Sequence, residues 1–510
     1  MVMEFEPVIG LEVHAELATQ SKMFCTCRVV DSTVAAPNIA VCPVCAGMPG
    51  MLPVVNRKAV EYGLRVALAL GCQVNLTSVF ARKNYFYPDL PKGYQISQYE
   101  LPLARHGCLS IITSQGERMI RIRRVHLEED TGKLTHIERW GENRSPGESH
   151  SLREGHSGGE SYSLVDLNRA GIPLLEIVSE PDLHSAEEVR AYAMALRSLL
   201  RYLEVNSGDM QKGVMRIEPN VSVRPVGSTQ FGVRTEIKNL NSFRALERSV
   251  DFEIQRQSAT LLQGGHVVQE TRGWDDNSDS TFTQRVKEGE EDNRYFPEPD
   301  LPPLVVTSEW LEEIQASLPE LPAAKLQRFR SQYSLGAYDA EVLIAEPAVA
   351  DFYEQTVLAA PDATPKIVAN WISGDLFGLL NQNGDSIEGG RIDPRALGGL
   401  IELVVKGEIN QTTAKMVLTE MYTSGASAES IVAGRGLRQV SDTSAVSGWV
   451  QRVLAENPDQ VNAYLAGKET IVRWLFGQVM RMGQGKANPQ VVQDELNRQI
   501  EALKVVRNSG

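Results

Sequence analysis

Val8-Ile-Gly-Leu-Glu-Val-His14 alternates Ile9, Leu11 and Val13 with Gly10, Glu12 and His14. A period of two is the pattern of a half-buried strand. Side chains two apart on a strand share a face, so Glu12 and His14 project together, about 7 Å apart at ~3.3 Å per residue. A carboxylate and an imidazole so placed can share one metal ion. The wet face of an antiparallel sheet carries the same pattern. Whether later segments come to meet the pair decides between the two.

Arg121-Ile-Arg-Arg-Val-His-Leu-Glu-Glu-Asp-Thr-Gly132 reads as the return strand of a hairpin over 109–134. Its apolar alternation changes phase between Ile122 and Val125, which predicts a bulge near Arg123-Arg124. Beyond the bulge His126, Glu128 and Asp130 share one face, and Glu129 points the other way. Successive acids repel unless a cation sits among them, the alternative being a solvated turn. Glu176, in Leu174-Leu-Glu-Ile-Val178, has apolar neighbours on both strand faces. A carboxylate there needs a partner, either a metal ion or an arginine.

Phe80 to Gln98 is dense in aromatics, cations and prolines, and Pro88 and Pro91 exclude a regular helix. Aromatic faces beside Arg82, Lys83 and Lys92 suit a stacked base and a phosphate. A proline-rich loop packing its tyrosines on the core fits equally.

Of six cysteines, four stand as Cys25-x-Cys27 and Cys42-x-x-Cys45. The spacing points to a closed tetrathiolate shell, which suits structural zinc and leaves no position for a reactive water. Cys72 and Cys108 are isolated. There is no phosphate-binding G-x-x-x-x-G-K-[ST] loop and no G-x-S-x-G nucleophile elbow.

The chain has 510 residues and a net charge of -14, which argues against coating nucleic acid through bulk charge. The last 75 residues carry nine Lys/Arg against seven Asp/Glu, so the basic end is C-terminal. No run approaches eighteen apolar residues, so no membrane span is predicted. The acidic start runs straight into a strand and is no signal peptide, so the cytoplasm is expected.

Helices are predicted over about 56–70, closed by Gly71, and over 185–203, where Ser185 and Glu188 resemble a capping box. Strand-like runs follow at 215–223, 234–243 and 267–274, with a helix to about 262. Residues 138–161 lack periodicity and read as an exposed loop, with His150 and His156 solvated. Prolines at 297–303 mark a domain boundary. From Ser308 the period is helical. Gly434-Arg-Gly436 reads as a hinge before a helical tail, whose Trp474/Leu475 stripe reads as core and whose Lys468, Arg473, Arg481 and Lys486 suit a basic face.

These motifs together resemble the GatB family, the B component of the tRNA-dependent Asp/Glu amidotransferase GatCAB. The resemblance covers nearly the whole chain. It is carried by Val8–His14, Arg82–Gln98, His126–Lys133, Val165–Asp182, Arg234–Phe243, Tyr295–Leu301 and Gly467–Pro489. It implies an α+β fold: a mixed α/β cradle (kinase) domain with an antiparallel sheet at 1–304, an all-α helical domain at 305–434, and an all-α YqeY-like tRNA-binding tail at 435–510. The implied activity is a carbon–nitrogen ligase. ATP phosphorylates the side-chain carboxylate of Glu-tRNA(Gln) and/or Asp-tRNA(Asn), and ammonia from glutamine displaces the phosphate. Ammonia comes from the amidase partner, GatA, and a small partner, GatC, completes the heterotrimer. The implied Mg2+ ligands are Glu12, His14, Glu176 and one of Glu128/Glu129. Strand alternation cannot choose between those two, and the resemblance favours Glu129. Arg82, Lys83, Asn84, Tyr85, Lys238 and Asn239 are the expected nucleotide contacts, and Lys468, Arg473, Arg481 and Lys486 the tRNA contacts. Some members of the family lack the four cysteines, and the loop at 138–161 matches no family motif. A non-catalytic tRNA-binding scaffold with a zinc knuckle is the alternative reading.

Overall fold

A computed structural model describes residues 4–137, 162–286, 294–439, 443–468, 470–483 and 487–508. The loop at 138–161 and Lys486 lie outside the described residues. The chain divides into two compact units, Met1–Ala323 and Ala324–Gly510. Among the described residues no helix is long and apolar enough to cross a membrane.

The first unit is built on β1 (Phe5–Glu16). Helix α1 (Arg57–Ala69) follows, then the short strands β2 (Gln73–Val74), β3 (Thr77–Ser78), β4 (Ala81–Asn84) and β5 (Tyr94–Ser97). The long hairpin is β6 (Ala104–Thr113) and β7 (Gly116–Glu129), followed by β8 (Lys133–Ile137), β9 (Tyr162–Asp166) and β10 (Pro173–Ser179). After α2 (Ala186–Tyr202) come β11 (Met215–Pro225), β12 (Thr235–Lys238), α3 (Phe243–Leu262), β13 (Glu270–Asp275) and β14 (Ser280–Val286). The unit ends with β15 (Arg294–Pro297), β16 (Leu304–Val305) and α4 (Ser308–Ala316).

Nine strands form one sheet in the order β14-β13-β12-β11-β1-β10-β7-β6-β2. Its described pairings are antiparallel except β12 with β13. The predicted alternation of β1 holds: Ile9, Leu11, Val13 and Ala15 are buried to 1% or less. They face the core with α1, α2 and α3, leaving the other face polar. Gly63 lets α1 lie close on this face, because a Cβ there would stand 2.8 Å from Leu103 Cδ2 and 3.2 Å from Leu127 Cδ2. The bulge falls where expected. Val178 pairs Arg124 and Ser179 pairs Ile122, so Arg123 is the extra residue.

The Ser185 hydroxyl accepts from Glu188 N, as a cap should, but Glu188 reaches one residue further back, to His184 N. Asn56 caps α1 by accepting from Lys58 N and Ala59 N. Helix α4 belongs to this unit, where Trp310 and Leu311 pack on the sheet's core.

The second unit is helical: α5 (Pro322–Gln332), α6 (Ala337–Ile344), α7 (Pro347–Ala359), α8 (Pro365–Asn370), α9 (Phe377–Asn383), α10 (Pro394–Val405), α11 (Gln411–Ser424) and α12 (Ala428–Gly434) surround one core. A six-residue π-helical stretch, Trp371–Leu376, joins α8 to α9. A second core lies among α13 (Thr443–Glu456), α14 (Pro458–Leu465), α15 (Ile471–Met482) and α16 (Pro489–Asn508). There Leu475 is fully buried, but Trp474 is 42% exposed, contrary to the expectation that both are core.

Candidate active site and metal centre

Register builds the site. In one row across the polar face His14 of β1 sits between Arg216 of β11 and Glu176 of β10, with His126 of β7 beyond. One row along, Glu128 lies across Leu174 from Glu16. Same-face neighbours on adjacent strands are within side-chain reach. His14 Nε2 accordingly lies 3.6 Å from Glu128 Oε1 and 3.5 Å from Glu176 Oε2. One ligand atom from each of these three residues lies within 4.8 Å of the others. His126 Nε2 supports the trio at 3.0 Å from Glu176 Oε2.

Burial alone would raise Glu176, yet His126 and His14 hold its carboxyl well below the usual range. Burial would pull His14 down, but Glu176, then Glu218 and Glu128, push it up to about 9. Without metal, the site thus favours the protonated form of His14. Both imidazoles leave Nδ1 buried with no hydrogen-bond partner among the described residues. The two carboxylates suit a hard divalent cation such as Mg2+, for which the single imidazole nitrogen is an unusual ligand. The His14 spacings of 3.5 and 3.6 Å exceed the ~2.9 Å edge of an Mg2+ shell, so binding at adjacent positions requires a contraction of about 0.6–0.7 Å.

Glu129 is not part of this group, which corrects the choice made from the resemblance. It points off the other side of β7, where Lys92 pairs with it and Ile96 N donates to its Oε1 at 2.9 Å. Glu128 is the acid that faces His14. Glu12 also stands apart from the trio, being one row away along β1. It groups with Glu218 and Glu236, which the sequence reading missed. Lys238 already serves that group as counter-ion, 3.0 Å from Glu218 and 3.1 Å from Glu236. Burial, then the charges of Glu176, Glu218 and Glu236, raise the Glu12 pKa.

The expected nucleotide contacts divide by strand face. Lys83 faces the trio: burial opposes its charge, but Glu128, Tyr295, Glu176 and Tyr85 together raise its pKa. Arg82, on the opposite face of β4, does not face the trio. Its Nε and Nη2 donate to Glu298 at 2.7 and 2.8 Å, and it lies over the Tyr94 ring. Asn84 is likewise committed, donating to the Arg82 and Arg294 carbonyls. Asn239 takes a left-handed φ of 65° as β12 ends. Asn tolerates that conformation, which accounts for the residue as a turn.

The polar row continues past the trio. Asp130 is held by Arg216 at 2.9 Å and by Arg169 at 3.6 Å. Beside it, burial and Asp130 push Glu16 up to about 8. Glu16 borders a cleft of about 860 Å³ that also takes in Arg197, Asp209 and Ser242.

The four cysteines converge, as their spacing predicts, with their sulfurs all within 4.8 Å of one another. The 3.7 Å between Cys42 and Cys45 Sγ matches the ~3.8 Å edge of a tetrahedron with Zn–S of about 2.3 Å. The donor set therefore fits zinc. Without metal the four are unequal: hydrogen bonding from Cys25 and Cys42 N holds Cys45 low, and the same Cys25–Cys45 contact raises Cys25.

In the tail, Lys468, Arg473 and Arg481 are exposed. Arg481 lies two turns beyond the exposed Trp474 on α15.

The GatB/GatE catalytic domain family matches residues 7–312, and the GatB domain family matches residues 351–500. The B subunit of the aspartyl/glutamyl-tRNA(Asn/Gln) amidotransferase of Thermodesulfovibrio yellowstonii is 49% identical over 492 residues, 96% of this chain and 98% of that protein. Proteins of the same name from Thermomicrobium roseum and Moorella thermoacetica are each 50% identical over 98% of this chain, covering 99% and 100% of their own lengths. The geometry above and similarity along the whole length give one conclusion: this chain belongs to the GatB family, that of the B subunit of the tRNA-dependent Asp/Glu amidotransferase.

Proposed function

We propose that this chain activates the side-chain carboxylate of Glu-tRNA(Gln) and/or Asp-tRNA(Asn) by phosphorylation from ATP. It then guides ammonia onto the acyl phosphate. The observation that carries this reading is the trio of half-buried His14 with buried Glu128 and Glu176, with Lys83 facing it.

A carboxylate is a poor electrophile because its leaving group is oxide. Phosphorylation forms a carboxyl O–P bond as the bond to ADP breaks. Ammonia then forms the C–N bond, phosphate leaves with the C–O bond, and nitrogen loses a proton. When bound, Mg2+ would supply neutralisation of the charge that develops on the transferring phosphoryl group. His14, Glu128 and Glu176 would hold that ion, with His14 neutral. His126 fixes Glu176 by its hydrogen bond and so keeps one carboxylate oxygen turned to His14. The Lys83 ammonium makes no hydrogen bond or ion pair among the described residues, which leaves it for phosphate. Lys238, at the edge of the same face, adds a second cation, and the Glu12/Glu218/Glu236 group tethers it. The chain has no nucleophile elbow, which fits an ammonia supply from a partner amidase, GatA, with the small partner GatC joining the two. Translation places the complex in the cytoplasm. The residues beyond 435, with their own core and the exposed Lys468, Arg473, Trp474 and Arg481, are assigned to tRNA, and 305–434 to the linking helical domain.

Amide formation on Glu-tRNA(Gln) and on Asp-tRNA(Asn), with and without the partner chains, tests the assignment. Activity that requires ATP, charged tRNA and the partners supports it. Glutamine-independent activity of the chain alone on a small free carboxylate overturns it.

A further inference from the structure

Lys22 is fully buried, at 0% exposure. Its three ammonium hydrogens meet three acceptors: Ala40 O at 2.7 Å, Leu167 O at 3.2 Å and Cys45 Sγ at 3.7 Å. Two of these are neutral carbonyls. Among the described residues no carboxylate lies within ion-pair distance of Lys22, although acids outnumber bases in the chain. An ammonium taken out of water without a counter-charge is unstable by several kcal/mol or more. The sulfur at 3.7 Å is the one acceptor that can become an anion. Four thiolates around a divalent zinc form a doubly negative centre, which in turn needs a cation in a dry site. Each group thus supplies the charge that the other lacks.

We propose that Lys22 is the counter-ion of the four-cysteine centre, donating to Cys45 Sγ from outside the ligand shell and lowering the net charge of the zinc tetrathiolate. The proposal rests on zinc filling that centre. It also gives the centre a mechanical reach. The same ammonium holds Leu167 O, and two residues on Arg169 donates to the Thr131 and Gly132 carbonyls, just beyond the end of β7 that carries Glu128. Met23 N and Asp130 N bond to the carbonyls of Gly171 and Ile172 in the same segment. The charge balance at Lys22 therefore ties the knuckle to the loop that clamps the end of the Glu128 strand.

The test is zinc competition against a chromophoric chelator on the full-length chain, comparing wild type with Lys22→Met and Lys22→Gln. Both substitutes keep much of the stem's length and lack the charge. The proposal expects one tightly held zinc in wild type and an affinity ~10–100-fold weaker in both variants, the size of an outer-shell loss. It expects the Tm of the zinc-stripped variants to be no lower than that of stripped wild type, because no stranded charge remains. In Co2+-substituted protein the sulfur-to-metal charge-transfer bands shift to lower energy in the variants. Unchanged zinc affinity, or an equal fall in Tm with and without zinc, makes Lys22 a packing residue and overturns the proposal. Wild type that takes up no stoichiometric zinc instead removes the zinc reading, and Lys22's role falls with it.

Discussion

At the scale of single residues, the adjacent acids Glu128 and Glu129 have opposite duties because a strand sends successive side chains to opposite faces. Glu128 faces His14, and Glu129 is the buried partner of Lys92. Glu129→Gln should therefore cost ~1–3 kcal/mol of stability, since it leaves the Lys92 ammonium with a neutral partner. Its folded fraction should keep carboxylate activation. Denaturant unfolding alongside tRNA-dependent ATP hydrolysis checks both halves. The sequence alone paired Glu128 with His126 correctly, and alternation was enough for that. It could not exclude Glu129, because nothing local reveals that Lys92 and Ile96 N lie behind β7. Arg82 misleads for the same reason, its carboxylate partner Glu298 being 216 residues away.

At the scale of elements, close packing and local charge set what each tolerates. Gly63→Ala improves helix propensity by up to ~1 kcal/mol, but its Cβ meets Leu103, Leu127 and Leu175 within 3.3 Å. Overpacking costs ~1–3 kcal/mol, so the variant should be less stable than wild type in thermal unfolding. In α16 the Glu495 carboxylate accepts two hydrogen bonds from Arg498 and one from Gln499. Arg498, foremost, holds it down to about 2. A depressed carboxyl stabilises the fold above its unfolded pKa of about 4.5, and that contribution disappears as pH falls from 4.5 toward 2. Glu495→Gln should thus be less stable than wild type at pH 7 and indistinguishable near pH 2, read from the unfolding of residues 443–508. Periodic elements were legible: β1, α1, α2 and the Arg123 bulge follow from short-range pattern, and the cysteine knuckle from spacing. The Glu12/Glu218/Glu236 group was not, because it depends on the register between β1 and β11, some two hundred residues apart in the chain.

At the scale of the whole molecule, chemistry is proposed for the first unit and tRNA capture for the basic tail. Arg473→Glu and Arg481→Glu should weaken tRNA binding and flatten its salt dependence while leaving zinc content and the fold of the first unit unchanged. Filter binding across a salt series checks this. The helical character of the second unit was legible in the change of period after Ser308, although α4 itself packs with the first unit. The charge row on the sheet was not, because it appears only once β1, β7, β10 and β11 are aligned. The carboxylate activation proposed for the first unit depends on His14, Glu128 and Glu176 forming the phosphate-transfer site. Charged-tRNA-dependent release of phosphate from γ-labelled ATP by the assembled complex, compared between wild type and Glu128→Gln, probes this without intermediaries. A loss of about 100-fold or more in Glu128→Gln, with tRNA affinity retained, is expected. Phosphate release at the wild-type rate in Glu128→Gln would contradict it.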